Sequence, residues 1–243
     1  MPNQFDILIK NAKLRGSESL TDIGIAGGKI VSVEKGLGGE AGVTVDAEAN
    51  LVTESFVNPH LHLCKVYTLQ MMDEDALTAY QGEGMGKAMN AIELAARVKE
   101  KYDKAWIIEN ARKAVTQAAR FGNTHIRAFA DVDSKARLEG VKALIRAREE
   151  FKGIVEIQVV AFAQDGWVRE RGTDKLMREA MELGADVVGG IPWIEYTEAN
   201  TQQHVKEIFD LAMEFNKDVS MLVDDAGDAG LRSLEMMAVE AIK

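Results

Sequence analysis

The stretch "SFVNPHLHLCKVYT", residues 55–68, decides how the rest of the chain is read. It is an apolar run of strand length that carries two of the four histidines, His60 and His62, directly after Pro59. Side chains alternate across a strand, so His60 and His62 share one face while Leu61 and Leu63 share the other. The leucines suit packing under a helix. Two neutral imidazoles at one strand end suit a shared metal ion. A partly buried, hydrogen-bonded histidine pair is the plainer reading of the same spacing.

Downstream of this stretch, apolar β-runs alternate with amphipathic helices. The runs are "SFVNPHLHL", "NTHIRAFADVD", "IVEIQVVAFAQ", "ADVVGGIP" and "DVSMLVDD". Each is nearly continuous in apolar residues, as parallel strands covered on both faces require. Helical spacing predicts helices over roughly 76–101, 104–120, 135–150, 174–183, 199–216 and 229–242. Gly122, Gly153 and Gly184 each fall between a helix and the next strand. Repeated β–α order of this kind gives an α/β protein with a parallel sheet. His204 lies in a polar helical stretch and is expected to face solvent. "QGEGMGK", residues 81–87, is expected to be a flexible loop, since it does not follow a strand as a phosphate-binding loop would.

Upstream, residues 1–54 read as short strands, with a hairpin in "DIGIAGGKIVSVE" turning at Gly27-Gly28. Composition narrows the function classes. Hydrophobic residues at 47% and charged residues at 28% are ordinary for a globular chain of 243 residues. A net charge of -10 argues against nucleic acid or an anionic membrane as partner. One cysteine excludes an internal disulfide framework. The N-terminus lacks signal-peptide character and no apolar run is long enough to span a membrane, so a cytoplasmic location is expected.

The pattern "DIGIAGGKIVSVE … VDAEANLVTESFVNPHLHL" resembles the opening of the amidohydrolase superfamily. "THIRAFADVDS", "VEIQVVAFAQDG", "VVGGIP" and "FDLAMEFNKDVSMLVDD" follow in order, and they are similar to the cytosine deaminase and N-isopropylammelide amidohydrolase branch. The resemblance implies a (β/α)8 barrel of the metal-dependent hydrolase type over 55–243, with a small β-sandwich domain over 1–54. It implies one divalent ion, zinc or iron, held by His60 and His62. It implies a small heterocyclic substrate, whose amide edge Gln164 would bind. Trp193, which follows "GGIP" at the end of the fourth strand, reads either as a side chain stacking on that ring or as a core residue of the rim. Asp225 matches the family's acidic residue past the fifth strand, which moves protons on the ring.

Departures from the pattern are expected to matter. Leu222 stands where the family has a third histidine ligand, Phe129 replaces a polar pocket residue, and Cys64 replaces an aspartate. Asp131 and Lys65 are retained. Cys64 reads either as a packed side chain or as a soft ligand or reactive thiol. Only five barrel strands are legible, whereas a closed barrel needs eight. The chain is therefore expected to be an incomplete barrel whose remaining strands come from further sequence or another chain. Val132, Val160 and Met221 are expected to face an uncovered lumen, which makes a homo-oligomer or a barrel-completing partner the expected state. Two functions follow: hydrolysis of a C–N bond on a pyrimidine or triazine, or a non-catalytic binding or scaffold role.

Overall fold

The computed structural model describes residues 4–71 and 97–243. The stretch "QGEGMGK" and most of the expected helix over 76–101 lie outside the described residues. The chain divides into two units, Met1–Ser55 and Phe56–Lys243.

The first unit is one sheet of five short strands: β1 (Phe5–Leu14), β2 (Leu20–Ala26), β3 (Lys29–Glu34), β4 (Ala41–Asp46) and β5 (Leu51–Val52). Its strand order is β3-β2-β1-β4, with β5 also pairing β1. β2 and β3 form the expected antiparallel hairpin, whereas β4 and β5 lie parallel to β1. Among the described residues this is a single layer, with a small core of Phe5, Leu8 and Leu37.

The second unit carries five strands: β6 (Phe56–Leu61), β7 (Asn123–Asp131), β8 (Glu156–Ala163), β9 (Val187–Gly190) and β10 (Asp218–Met221). They pair in the order β10-β9-β8-β7-β6, every pair parallel, as a curled sheet that makes a half-barrel. Five helices lie wholly among the described residues: α1 (Lys104–Arg120), α2 (Glu139–Glu150), α3 (Thr173–Glu182), α4 (Glu198–Phe215) and α5 (Ser233–Ala241). Side-chain acceptors start two of them: Asp103 takes the Ala105 N–H at the head of α1, and Thr197 takes that of Asn200 at the head of α4. No helix among the described residues is long and apolar enough to cross a membrane.

Strand alternation splits the core in two. Ile126, Ala128, Val159, Ala161 and Val188 point outward and are buried against Ile107, Val115, Leu144, Met177 and Ile208 of the helices. On the inner face Phe129, Val160, Phe162 and Val187 join Ile191, Trp193, Ile194 and Ala226, with Leu222 and Leu231 packed against them. This corrects the sequence reading at two positions. Val132, just beyond β7, and Met221, the last residue of β10, belong to the helix-side core, one position out of phase with the inner-face residues Asp131 and Leu222 beside them. Val160 does face inward but is fully buried, since the segment after β10 and the aromatic rings fill that side.

The closest backbone approach on the inner face is at Gly189 of β9. A Cβ there would come 2.6 Å from the Ser220 carbonyl oxygen on β10 and 2.6 Å from Val160 Cγ1 on β8. Neither a ladder carbonyl nor a buried valine can move aside cheaply. Gly189→Ala is expected to lower stability by about 1–3 kcal/mol, read as a fall in the thermal midpoint. An unchanged midpoint would contradict the pairing of β9 between β8 and β10.

Candidate functional site

His60 and His62 lie at the C-terminal end of β6, on the inner face, with Leu61 and Leu63 turned to the helix-side core. Their ring centroids are 4.9 Å apart in an edge-to-face arrangement. Phe129 comes from the adjacent strand, its centroid 4.2 Å from that of His60 and 5.4 Å from that of His62. Phe162, one strand further, is 5.4 Å from His62. Burial first, then the positive charge of Lys65, pushes His62 down to about 4, so its imidazole is neutral near pH 7. Burial lowers His60 as well, with the Asp225 charge opposing.

Behind the imidazoles lies a buried charge network. Asp131, at the end of β7, is wholly buried and takes the ammonium of Lys65 at 3.1 Å and that of Lys99 at 3.7 Å. Its other oxygen is 3.4 Å from His62 Nδ1. Burial works against the Asp131 charge, but Lys65 and Lys99 outweigh it and hold the carboxyl below its usual range. Lys99, only 1% exposed, also binds Asp133 at 2.8 Å and Asp165 at 2.6 Å. Burial opposes its charge too, and the three carboxylates more than offset this and raise it. Asp165 is raised by burial, with Lys99 opposing, which eases the excess of carboxylates over ammoniums.

Lys65 extends the network to the residue expected to read a ring edge. Its ammonium donates to Gln164 Oε1 at 2.8 Å, so one end of the Gln164 amide is fixed and its Nε2 is left for other partners. Gln164 follows β8 directly and is nearly buried. Trp193 and Asp225, read separately from the sequence, are in direct contact: the indole N–H donates to Asp225 Oδ1 at 2.5 Å. Trp193 is itself part of the inner core. The neighbouring Asp224 serves as the helix-terminal carboxylate, accepting the N–H groups of Ser233 and Leu234 at the head of α5.

Cys64 is packed. Its Sγ lies in the helix-side core, 3.4 Å from the Asp131 amide and 3.7 Å from the Tyr102 hydroxyl. Burial, reinforced by the Asp131 charge, pushes the thiol up to about 12, which rules out a thiolate nucleophile near neutral pH. His204 corrects the reading of its helix. It is fully buried, its Nδ1 2.8 Å from Glu195. With Ile208 and Leu211 it lies at i, i+4, i+7 on the buried stripe of α4, a spacing that marks the position as internal. Lys99, Asp133 and Asp165 had no such signal, since Lys99 meets them across 34 and 66 residues of sequence.

A zinc or iron centre needs three protein donors plus water, or four. His60 and His62 supply two imidazoles. Asp131 is engaged by Lys65 and Lys99, and Leu222 and Phe129 place hydrocarbon on the inner face beside them. Among the described residues no group of three or more His, Cys, Asp or Glu side chains is arranged to hold a metal ion. The described residues therefore do not complete such a centre.

The match to known proteins spans this whole site. The model of the Amidohydrolase family matches residues 43–243. N-isopropylammelide isopropyl amidohydrolase of Pseudomonas sp. (strain ADP) is 30% identical over 243 residues, which is 100% of this chain and 59% of that protein. The crystal structure of 5-methylcytosine deaminase from Klebsiella pneumoniae liganded with 5-fluorocytosine aligns with a TM-score of 0.84 at 29% identity, over 96% of this chain and 55% of that one. N-isopropylammelide isopropylaminohydrolase from Burkholderia multivorans aligns with a TM-score of 0.66 at 25% identity, over 98% of this chain and 58% of that one. The chain thus spans less than two thirds of the length of each of these relatives.

The charge network gives a stability prediction. Removing one partner from a buried ionic cluster leaves uncompensated charge, so Lys99→Met should cost about 3–5 kcal/mol in denaturant unfolding. Lys206→Met, which breaks the exposed pair with Asp210, should cost under about 1 kcal/mol. Equal small losses at the two sites would contradict the buried network.

Proposed function

The chain belongs to the amidohydrolase family, and on that premise we propose that its inner face binds a small planar N-heterocycle for hydrolysis of a C–N bond to a ring carbon. One observation carries this reading. His60, His62, Asp131 and Gln164 converge at the C-terminal end of three neighbouring strands, where Lys65 bonds both Asp131 and Gln164 and His62 lies against Asp131. In parallel α/β folds that end of the sheet is where ligands bind. The relatives named above, which act on an ammelide and on a methylated cytosine, support a pyrimidine or triazine as the ring.

Each side chain has a role in this reading. Gln164 offers Nε2 to a ring carbonyl or ring nitrogen, while Lys65 fixes its Oε1. The neutral His60 imidazole, backed by the buried Phe129, gives the ring a flat surface. Asp225 moves a proton between the attacking water and the leaving amine, and Trp193 aims it through the indole N–H instead of stacking on the substrate. One divalent ion, zinc or iron, enters this reading only if a third donor joins His60 and His62 from outside the described residues. The shortfall in donors favours a second reading, a ring-binding subunit without turnover. β6 and β10 each end the sheet without a further neighbour among the described strands, so both readings include a second copy or a barrel-completing chain at those edges.

Ammonia release from cytosine and isopropylamine release from N-isopropylammelide test the first reading. Turnover is expected, with Gln164→Ala raising KM about tenfold or more and Asp225→Asn lowering kcat about 10²–10⁴-fold. Ring binding without amine release would support the second reading, and absence of binding would overturn both. Metal analysis of the chain purified alone should give well under one equivalent. One tightly held ion would contradict the donor count, and His60→Ala would then abolish it.

A further inference from the structure

His204 and Glu195 form a buried pair that the ring-binding face does not use directly. Glu195 accepts three consecutive backbone N–H groups: Trp167 at 2.6 Å, Val168 at 3.0 Å and Arg169 at 2.8 Å. These amides belong to the loop that begins with Gln164. Burial works against the Glu195 charge, but the His204 hydrogen bond and the backbone amides outweigh it and hold the carboxyl below its usual value. His204 Nδ1 faces Glu195 Oε1 at 2.8 Å and the Trp167 amide nitrogen at 3.3 Å, and beside an ionised carboxylate the tautomer that carries its proton on Nδ1 donates to Glu195. Its Nε2 is buried without a partner, pressed against the backbone at Gly190. At the start of the loop, Asp165 is tied to Lys99. Between the two anchors Gly166 adopts φ +101°, where a Cβ would come 3.0 Å from Glu195 Oε1.

We propose that His204 is a positioning residue for Gln164. By holding the Glu195 carboxylate against the amides of 167–169, it fixes the loop that presents the Gln164 amide to a ring. This rests on the heterocycle reading above. Without the clamp the loop 164–172 keeps the Lys65–Gln164 and Lys99–Asp165 bonds at its start but loses its fixed point at 167–169, and the loss would fall on ring binding. A buried histidine that leaves one nitrogen unpaired costs stability. Its retention beside the loop fits a role in precise placement of Gln164.

The test uses the full chain with two independent readouts. Hydrogen exchange of the 167–169 amides reports the clamp, and ¹⁹F NMR titration of 5-fluorocytosine reports ring binding. His204→Leu should raise exchange at 167–169 about tenfold and weaken 5-fluorocytosine about tenfold, with β7 and β8 still protected. His204→Asn, whose amide N–H can replace the Nδ1 donor, should restore both to within about threefold. If His204→Leu fails to fold, Glu195→Gln removes one acceptor oxygen and should give the same two changes. Unchanged exchange at 167–169 would overturn the clamp. Faster exchange with unchanged 5-fluorocytosine affinity would reduce His204 to a structural role. No binding by the wild-type chain would contradict the heterocycle reading, while exchange would still decide whether His204 holds the loop.

Discussion

A carboxylate with no exposed surface cannot stay ionised without cations beside it, and Asp131 has two, Lys65 and Lys99. That requirement organises the whole C-terminal end of the half-barrel. Lys65 comes from the turn after β6, Asp131 from the end of β7, and Asp165 from the loop after β8. Lys99 reaches them from the segment that precedes α1. Four pieces of chain distant in sequence are thereby held at one point. The ammonium of Lys65 then has one direction left, toward Gln164, which places an amide beside the two imidazoles.

The inner face combines this charged rim with a hydrocarbon floor. Phe129 and Phe162 stack edge to face at 5.2 Å and fill the space beneath the imidazoles. Burial of such side chains contributes about 1.5–3 kcal/mol apiece, so the half-barrel gains a core on its inner side as well as under its helices. The same burial keeps His62 neutral, and Leu222 and Phe129 place hydrocarbon beside the imidazoles. The reading proposed for this face, recognition of a flat ring, rests on the His60 imidazole above that floor and on one oriented amide.

Much of the architecture was legible in the sequence because it rests on short-range periodicity. The inward direction of His60 and His62 follows from period two and Leu61/Leu63 on the opposite side. The near-continuous apolar runs gave all five parallel strands. The two positions out of phase have a local cause: Val132 lies just beyond β7, where Asp131 already faces inward, and Met221 ends a four-residue strand too short for alternation to fix its phase. His204 was misread from its polar surroundings, although its spacing to Ile208 and Leu211 held the answer. Lys99 was beyond reach, since a lysine in a helical stretch is ordinarily solvated and its three carboxylates lie far along the chain. The pairing of Trp193 with Asp225 likewise depends on a turn of backbone that no local pattern encodes.

The proposed ring-binding surface is the convergence of His60, Lys65 and Gln164 above the buried Phe129. A crystal structure of the full chain grown with 5-fluorocytosine tests it most directly. The ring is expected on the inner face, against the His60 imidazole, with Gln164 Nε2 about 3 Å from a ring acceptor. A ring bound elsewhere, with Gln164 still engaged only by Lys65, would contradict it.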